Sequence, residues 1–406
     1  MMAGSGVFGR QSNEAETQSA VVRAVTFKEA RRTGMPREAL IALHETEGVG
    51  RITIANVFLR GLSKGKGALA NVHRYREQDW RDMGLSLKQS PAVAANFLPA
   101  SIERMWARHT AKQLQVVTYL DDDYPELLRH IADPPWVLYY KGDWNLVHRP
   151  CIAIVGTRLA TGYGRKMAED VARGCAARMT VVSGLARGID AYAHGGALKG
   201  AYGTIAVLAG SAEVCYPPEN KALYEEIATR GLIVSESPPG TILRPGLFPL
   251  RNRIIAGLSF GVVVVEAAHR SGALITADLA LAYDRDVFVV PGQATSPRCL
   301  GALEYFRKGA HPALDESDIF NMYSHRLPEP LPSADGENNV TPGDRKLAPL
   351  TAAERPIYEI LLDQACSIDE LAVKSGLTFG HLNAVLLSLL MKRRIHQQPG
   401  SIYHVL

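Results

Sequence analysis

Cys151–Lys166 reads CIAIVGTRLATGYGRK. Five apolar residues run without a polar break, a glycine closes the run, and a segment of small residues and cations follows. Unbroken apolar runs suit strands covered on both faces, as in a parallel sheet, whereas a half-exposed strand alternates. The same grammar recurs downstream in TVVSG, TIAVLAG, LIVS, GVVVVEA and VFVVP, each separated from the next by a stretch long enough for a helix. Six such runs with intervening helices predict a Rossmann-like, doubly wound, mostly parallel α/β sheet.

The flanking segments predict smaller units. Residues 1–35 read as a disordered tail, and the first of them lack the basic start and apolar stretch of a signal peptide. Residues 36–115 read as a helical domain of helix-hairpin-helix or SAM-like type. Within it two apolar helical patterns meet at Gly48-Val49-Gly50, a turn of the kind that lets a backbone approach a phosphate. The sheet domain, with PPWVLYYKG (134–142) as a connecting strand, is expected over 116–320. Residues 321–349, including LPEPLPSADGENNVTPGD, predict a Pro-rich acidic linker. Residues 350–406 predict three helices and a hairpin around Pro399-Gly400, the outline of a winged helix.

Composition narrows the classes. The 406 residues are 47% hydrophobic, with no apolar run long enough to span a bilayer. The five cysteines (Cys151, Cys175, Cys215, Cys299 and Cys366) are scattered and form no CxxC pair. That argues against a disulfide framework or zinc site and for a reducing cytoplasm. Net charge is +4. Residues 1–150 (20 Lys+Arg, 16 Asp+Glu) and 151–310 (17 and 13) carry the basic excess, while 311–349 (3 and 7) is acidic.

In doubly wound sheets ligands bind beyond the carboxyl ends of the strands. Those ends read Gly156-Thr157-Arg158, Ser183-Gly184 then Arg187, Gly210-Ser211 then Tyr216 and Lys221, Ser235-Glu236, Glu266 then Ser271-Gly272, and Pro291-Gly292. Small residues open backbone amides, helix starts add positive potential, and arginines add formal charge. A row of such ends predicts a ligand with several phosphates.

It is not a dinucleotide fingerprint, because Arg158 stands where G-x-G-x-x-G needs its second glycine. No P-loop sequence is present. His194 and His269 have no ligand-spaced partner, so no metal site is expected. Nucleic acid remains, and a groove one sheet edge wide suits a single strand. Tyr163, Tyr216 and Phe248 are candidate stacking rings, each with core packing as its alternative. FPLRNRIIAGLS (248–259) places Arg251 and Arg253 around Asn252 ahead of an apolar helix. The arginines would grip a phosphate, or one of them would pair with an internal acid such as Glu236.

The ordered series GTRLATGYG, VVSGLARGIDAYAH, TIAVLAG, YPPEN, SESPPG, FPLRNRIIAGLS, VVVVEAAHRSGALITA and VFVVPG resembles the DprA/Smf family of bacterial DNA-processing proteins. The resemblance implies sequence-nonspecific binding and protection of single-stranded DNA, loading of RecA recombinase in natural transformation, and a homodimer formed through the Rossmann-like domain. It implies no catalysis, cofactor or membrane association. By motif, phosphate binding falls on Gly156, Arg158, Ser183, Gly184, Arg187, Lys221, Arg251, Asn252 and Arg253, with Ser271 and Gly272 lining the same edge. Asp190 reads as a residue that caps or orients its helix. Leu303 stands where the family usually has asparagine.

The third helix of the tail block carries cations only at its end (Lys392, Arg393, Arg394), so a protein-contact or regulatory role is expected there rather than duplex reading. The competing enzyme reading is a nucleotide phosphoribohydrolase with Glu266 as its acid. Its glycine-rich loop is broken here by Pro291-Gly292-Gln293-Ala294. A purely structural adaptor leaves the row of cations unexplained.

Overall fold

The computed structural model describes residues 25–328, 350–351, 353–392, 394–398 and 402–405. The chain divides into two compact units, residues 1–334 and 335–406.

The first unit is organised by a nine-stranded sheet. Its strands are β1 (Gln115–Thr118), β2 (Val137–Gly142), β3 (Cys151–Gly156), β4 (Thr180–Ser183), β5 (Thr204–Leu208), β6 (Leu232–Ser235), β7 (Gly261–Val265), β8 (Asp286–Val289) and β9 (His311–Pro312), in the order β1-β2-β6-β5-β4-β3-β7-β8-β9. From β6 across to β9 all neighbours are parallel, while β2 lies antiparallel to β6 and β1 to β2. The segment expected as a connector is therefore a strand of the same sheet.

Both faces of the sheet are covered. Ile152 and Ile154 of β3 join one core with Ala168, Val171 and Cys175 of helix α1 (Gly162–Cys175) and Ile189, Ala193 and Ala197 of helix α2 (Ile189–Ala197). Their neighbours Ala153 and Val155 point the other way, as the two-residue strand period requires. They join a second core with Ile254, Ile255 and Leu258 of helix α4 (Leu247–Leu258) and Ala273, Ala277 and Ala280 of helix α5 (Gly272–Ala282). Helix α3 (Lys221–Arg230) precedes β6. Each fully buried Val or Ile stabilises the sheet by about 1.5–3 kcal/mol relative to exposure, which is why the strand interiors carry no polar break.

Among the described residues six α-helices precede the sheet: Phe27–Arg32, Arg37–His44, Arg51–Lys64, Glu77–Asp82, Gln89–Asn96 and Pro99–Ala111. Their apolar faces are continuous with the second core. Trp136 stacks on Phe58 at 4.8 Å and donates its indole N–H to the Arg51 carbonyl. The turn between the second and third helices contains Gly48 with φ +79°, the backbone conformation that favours glycine there.

Two segments expected to lack structure carry it. Phe27–Arg32, inside the expected tail, is a helix because Thr26 and Glu29 cap it reciprocally and Arg129 lies 3.8 Å over the Phe27 ring. Glu316–Tyr323 and the turn Ser324–Arg326 run into the expected linker, where Arg178 donates to the Pro328 carbonyl. Residues 1–24 and 329–349 lie outside the described residues.

In the second unit helices Glu354–Asp363, Ile368–Ser375 and Phe379–Met391 enclose Ile357, Leu361, Leu371, Leu382, Leu386 and Leu389. Ser367 caps its helix in a box with Glu370. Ile402–Val405 pairs antiparallel with Ile395–Gln398 and with Cys366–Ser367, completing a winged helix. The hairpin turn at Pro399-Gly400 and the cation Arg393 lie outside the described residues.

Candidate nucleic-acid interface

The strand order reverses at β3, which has β4 on one side and β7 on the other. At the ends of β3, β4 and β5, on one side of that reversal, a pocket is lined by Arg158, Gly184, Ala186, Arg187, Tyr216, Pro217 and Phe248. Arg158 and Arg187 are exposed. The Arg158 guanidinium lies 5.5 Å from the centre of the Phe248 ring, and the Tyr216 and Phe248 rings stand 5.8 Å apart. Arg187 pairs with Glu219, and Lys221 with Glu225 at 3.8 Å. Both pairs are solvent-exposed, so a phosphate can displace either carboxylate at small energetic cost.

The floor of this pocket is locked from below. Gly184 N–H and Ala186 N–H donate to the Asp190 carboxylate at 3.1 and 3.4 Å, and Leu185 N–H donates to His194 Nε2 at 3.3 Å. His194 Nδ1 meets Thr204 Oγ1 at 2.7 Å, and that hydroxyl donates to the Val181 carbonyl. With the hydroxyl hydrogen so used, Nδ1 carries the imidazole proton and Nε2 is left to accept. Burial, reinforced by the nearby Arg251, pulls the His194 pKa down to about 3, so the ring is neutral. Burial raises the Asp190 pKa against the opposing pull of Arg251 and the two amides.

Three consecutive amides at the end of β4 are thus engaged by side chains of α2. Ser183 is buried and donates its hydroxyl to the Ile154 carbonyl at 2.6 Å. The amide of Gly184 and the hydroxyl of Ser183, expected to face a phosphate, are directed into the protein. Gly156 closes β3 in register with Val265 of β7.

The cations of FPLRNR divide. Arg251 is 7% exposed and donates to the carbonyls of Gly184 (2.7 Å) and Val207, with Nε on Asn252 Oδ1. A β-carbon at Gly184 would overlap its guanidinium. Burial lowers the Arg251 pKa to about 10, with Asp190 opposing the shift and Arg158 adding to it. The side chain remains charged at neutral pH and stitches β4 to β5. Asn252 donates to the Gly272 carbonyl at 3.3 Å.

Arg253 is 4% exposed, pairs with Glu236 and lies 3.6 Å from Asp133, which Arg51 also reaches at 2.7 Å. Of the two alternatives for these cations, the internal pair with Glu236 is formed, by Arg253. The geometry places all three side chains beneath the surface rather than on it.

Three expected site residues sit on the far side of the strand-order reversal or beside it. Tyr163, half exposed, donates its hydroxyl to the Pro291 carbonyl at 2.6 Å, apart from the Tyr216–Phe248 pair. Ser271 caps α5 and Gly272 opens it. His269 faces Glu304 at 3.5 Å on the surface, and Leu303 packs partly buried against the core.

Glu266 is the residue whose part the sequence hid. It is 4% exposed, with φ +50°. Its carboxylate accepts from Thr161 N–H at 2.9 Å and from Thr161 Oγ1, and its carbonyl accepts from Thr157 N–H at 2.8 Å. The carboxylate occupies the start of α1, the place a Rossmann nucleotide phosphate would take. The i, i+4 spacing of Asp190 and His194 was a usable signal that both face one way on α2, whereas nothing near position 161 in the sequence points to residue 266.

Residues 115–324 match the family described as DNA recombination-mediator protein A, and residues 341–401 match the DprA winged helix domain. Protein Smf of Synechocystis is 36% identical over 73% of this chain and 81% of its own length. DNA processing protein DprA of Bacillus subtilis is 39% identical over 55% of this chain and 76% of its own. The crystal structure of DprA from Streptococcus pneumoniae superposes with a TM-score of 0.62 at 32% identity, covering 71% of this chain and 98% of that one. A doubly wound sheet with cations at its strand ends, a winged helix later in the chain and these likenesses converge: the chain belongs to the DprA/Smf family of DNA-processing proteins.

Proposed function

We propose that the chain holds single-stranded DNA, without sequence preference, across the ends of β3, β4 and β5 and delivers it to RecA recombinase during natural transformation. The observation that carries the binding site is Arg158 and Arg187, exposed on the pocket that the Tyr216 and Phe248 rings also line. Exposed guanidinium groups meet phosphates, and tilted rings open to solvent accept unstacked bases of any identity. Lys221 extends the basic edge. Arg251, Asn252, Ser183 and Asp190 support the site from beneath. The role is binding and loading rather than catalysis: a hydrolase would need Glu266 open to substrate, and its carboxylate is engaged by Thr161.

RecA as the recipient rests on family membership. A homodimer fits Ile275 and Leu281, which stand 40% and 38% exposed on the apolar helix α5. The winged helix offers exposed Phe379 and Leu387 rather than cations along the body of its third helix, which suits a protein contact. Free thiols at all five cysteines suit the cytoplasm.

The test is fluorescence anisotropy of labelled oligo-dT and of a matching duplex at two salt concentrations, with wild type and Arg158→Ala. Binding to single strands should fall with a log–log salt slope of about −0.7 per phosphate neutralised, and the variant should be shallower by about that amount. Equal, weak binding of both DNAs, unchanged in the variant, would refute the site.

A further inference from the structure

Glu266 completes a capping box with a residue 105 positions away. In the local version a glutamate at the third helical position accepts from the N-cap amide, while the N-cap hydroxyl accepts from the third residue's amide. Here Thr161 is the N-cap and its hydroxyl accepts from Gly164 N–H at 3.1 Å. The third position is Gly164, which has no carboxylate to return. Glu266 supplies it from the end of β7. A β-carbon at Gly164 would overlap that carboxylate, so the glycine makes the room.

The same residue holds the other end of the loop, because its carbonyl accepts from Thr157 N–H. The turn Thr157–Thr161 is therefore fastened at both ends to one residue in a left-handed backbone conformation. Arg158 lies between the two fastenings, with Leu159 tied to Thr157 Oγ1 at 3.2 Å and its carbonyl held by Arg298 at 2.8 Å.

We propose that Glu266 is a positioning residue for DNA binding: its carboxylate fixes the Thr157–Thr161 turn and so aims Arg158 at the DNA backbone over Phe248. This rests on the reading of Arg158 as a phosphate contact. The expected effect of removing this carboxylate has an unusual sign. Glu266 is an anion near a polyanion site, so by charge alone its removal should tighten DNA binding. As a positioning residue its removal should loosen it.

The experiment compares full-length wild type, Arg158→Ala, Glu266→Ala and Glu266→Gln on oligo-dT by anisotropy, with a melting curve for each. Formate is added at the same ionic strength as a chloride control. Glu266→Ala is expected to lose affinity to an extent similar to Arg158→Ala, with the salt slope shallower by about 0.7. Formate, entering at the vacated helix start, should restore most of that loss in Glu266→Ala and none in Arg158→Ala. Glu266→Gln keeps one acceptor and should fall between wild type and alanine.

Wild-type or tighter binding by Glu266→Ala, while Arg158→Ala is weakened, would overturn the proposal and leave the DNA site standing. A loss that formate does not relieve would also overturn it, marking Glu266 as merely structural. If Arg158→Ala itself binds like wild type, the DNA site has failed first, and the positioning role falls with it.

Discussion

Replacing Arg253 by methionine separates a buried cation from a DNA-facing one. Arg253 lies between Glu236 and Asp133, whose side chains are 22% and 12% exposed. Burial works to lower the Arg253 pKa, but the two acids outweigh it and the guanidinium is held more firmly charged. Removing one partner of a buried pair destabilises by about 3–5 kcal/mol, because the remaining charge stays desolvated. Arg51 stays on Asp133 and Glu236 is partly wet, so the lower end, about 3 kcal/mol, applies here. At about 2 °C per kcal/mol for a domain of this size, the melting temperature should fall by about 6 °C.

The loss should also depend on pH. Burial already raises the Asp133 pKa, against the pull of Arg253 and Arg51. Without Arg253 it rises further above its unfolded value. A carboxylate raised in the folded state penalises stability above its folded pKa, and the penalty fades as pH falls through that value. The deficit of Arg253→Met should therefore be smaller at pH 5 than at pH 7.5 in urea melts, and Glu236→Gln should recover part of it in the double variant. DNA affinity and salt slope at 25 °C should match wild type. Wild-type stability combined with a salt slope shallower by about 0.7 would refute the reasoning and put this guanidinium on a phosphate.

Other outcomes follow from the same geometry. Gly184→Ala forces the Arg251 guanidinium off the carbonyls of Gly184 and Val207. A loss of about 3–6 kcal/mol in a denaturant melt is expected, from two charge-assisted bonds worth about 1.5–3 kcal/mol each. The His194 pKa is depressed to about 3 in the folded protein, so the unfolded chain takes up its proton first as pH falls below about 6.5. Stability should decline from there toward pH 3, and His194→Gln should flatten that part of the profile. Deleting residues 350–406 should leave most single-strand affinity in the anisotropy titration. A large drop would make the winged helix a DNA reader.

The parallel sheet was legible because burial on both faces demands contiguous apolar runs, and CIAIV, TIAVL and GVVVV are local facts. The winged-helix order was legible for a similar reason: Ser367 with Glu370 and the apolar periods around them are near neighbours in the chain. VLYYKG was readable as a strand but not as the antiparallel partner of β6, since strand pairing is a non-local choice. The tail and linker boundaries moved because Phe27 and Arg178 find their partners at Arg129 and Pro328.

Within the site, the chain alone identified which cations gather at the strand ends and could not rank them. Arg158, Arg251 and Arg253 are alike as letters beside small or apolar neighbours. Only the tertiary structure decided that the first is exposed over Phe248, that the second is spent on a carbonyl 67 positions away, and that the third is spent on an acid 17 positions away. The physical reason is that a guanidinium under the surface cannot go unpaired. Its acceptors come from whichever strands pack around it, and that packing is a property of the folded sheet rather than of any stretch of sequence.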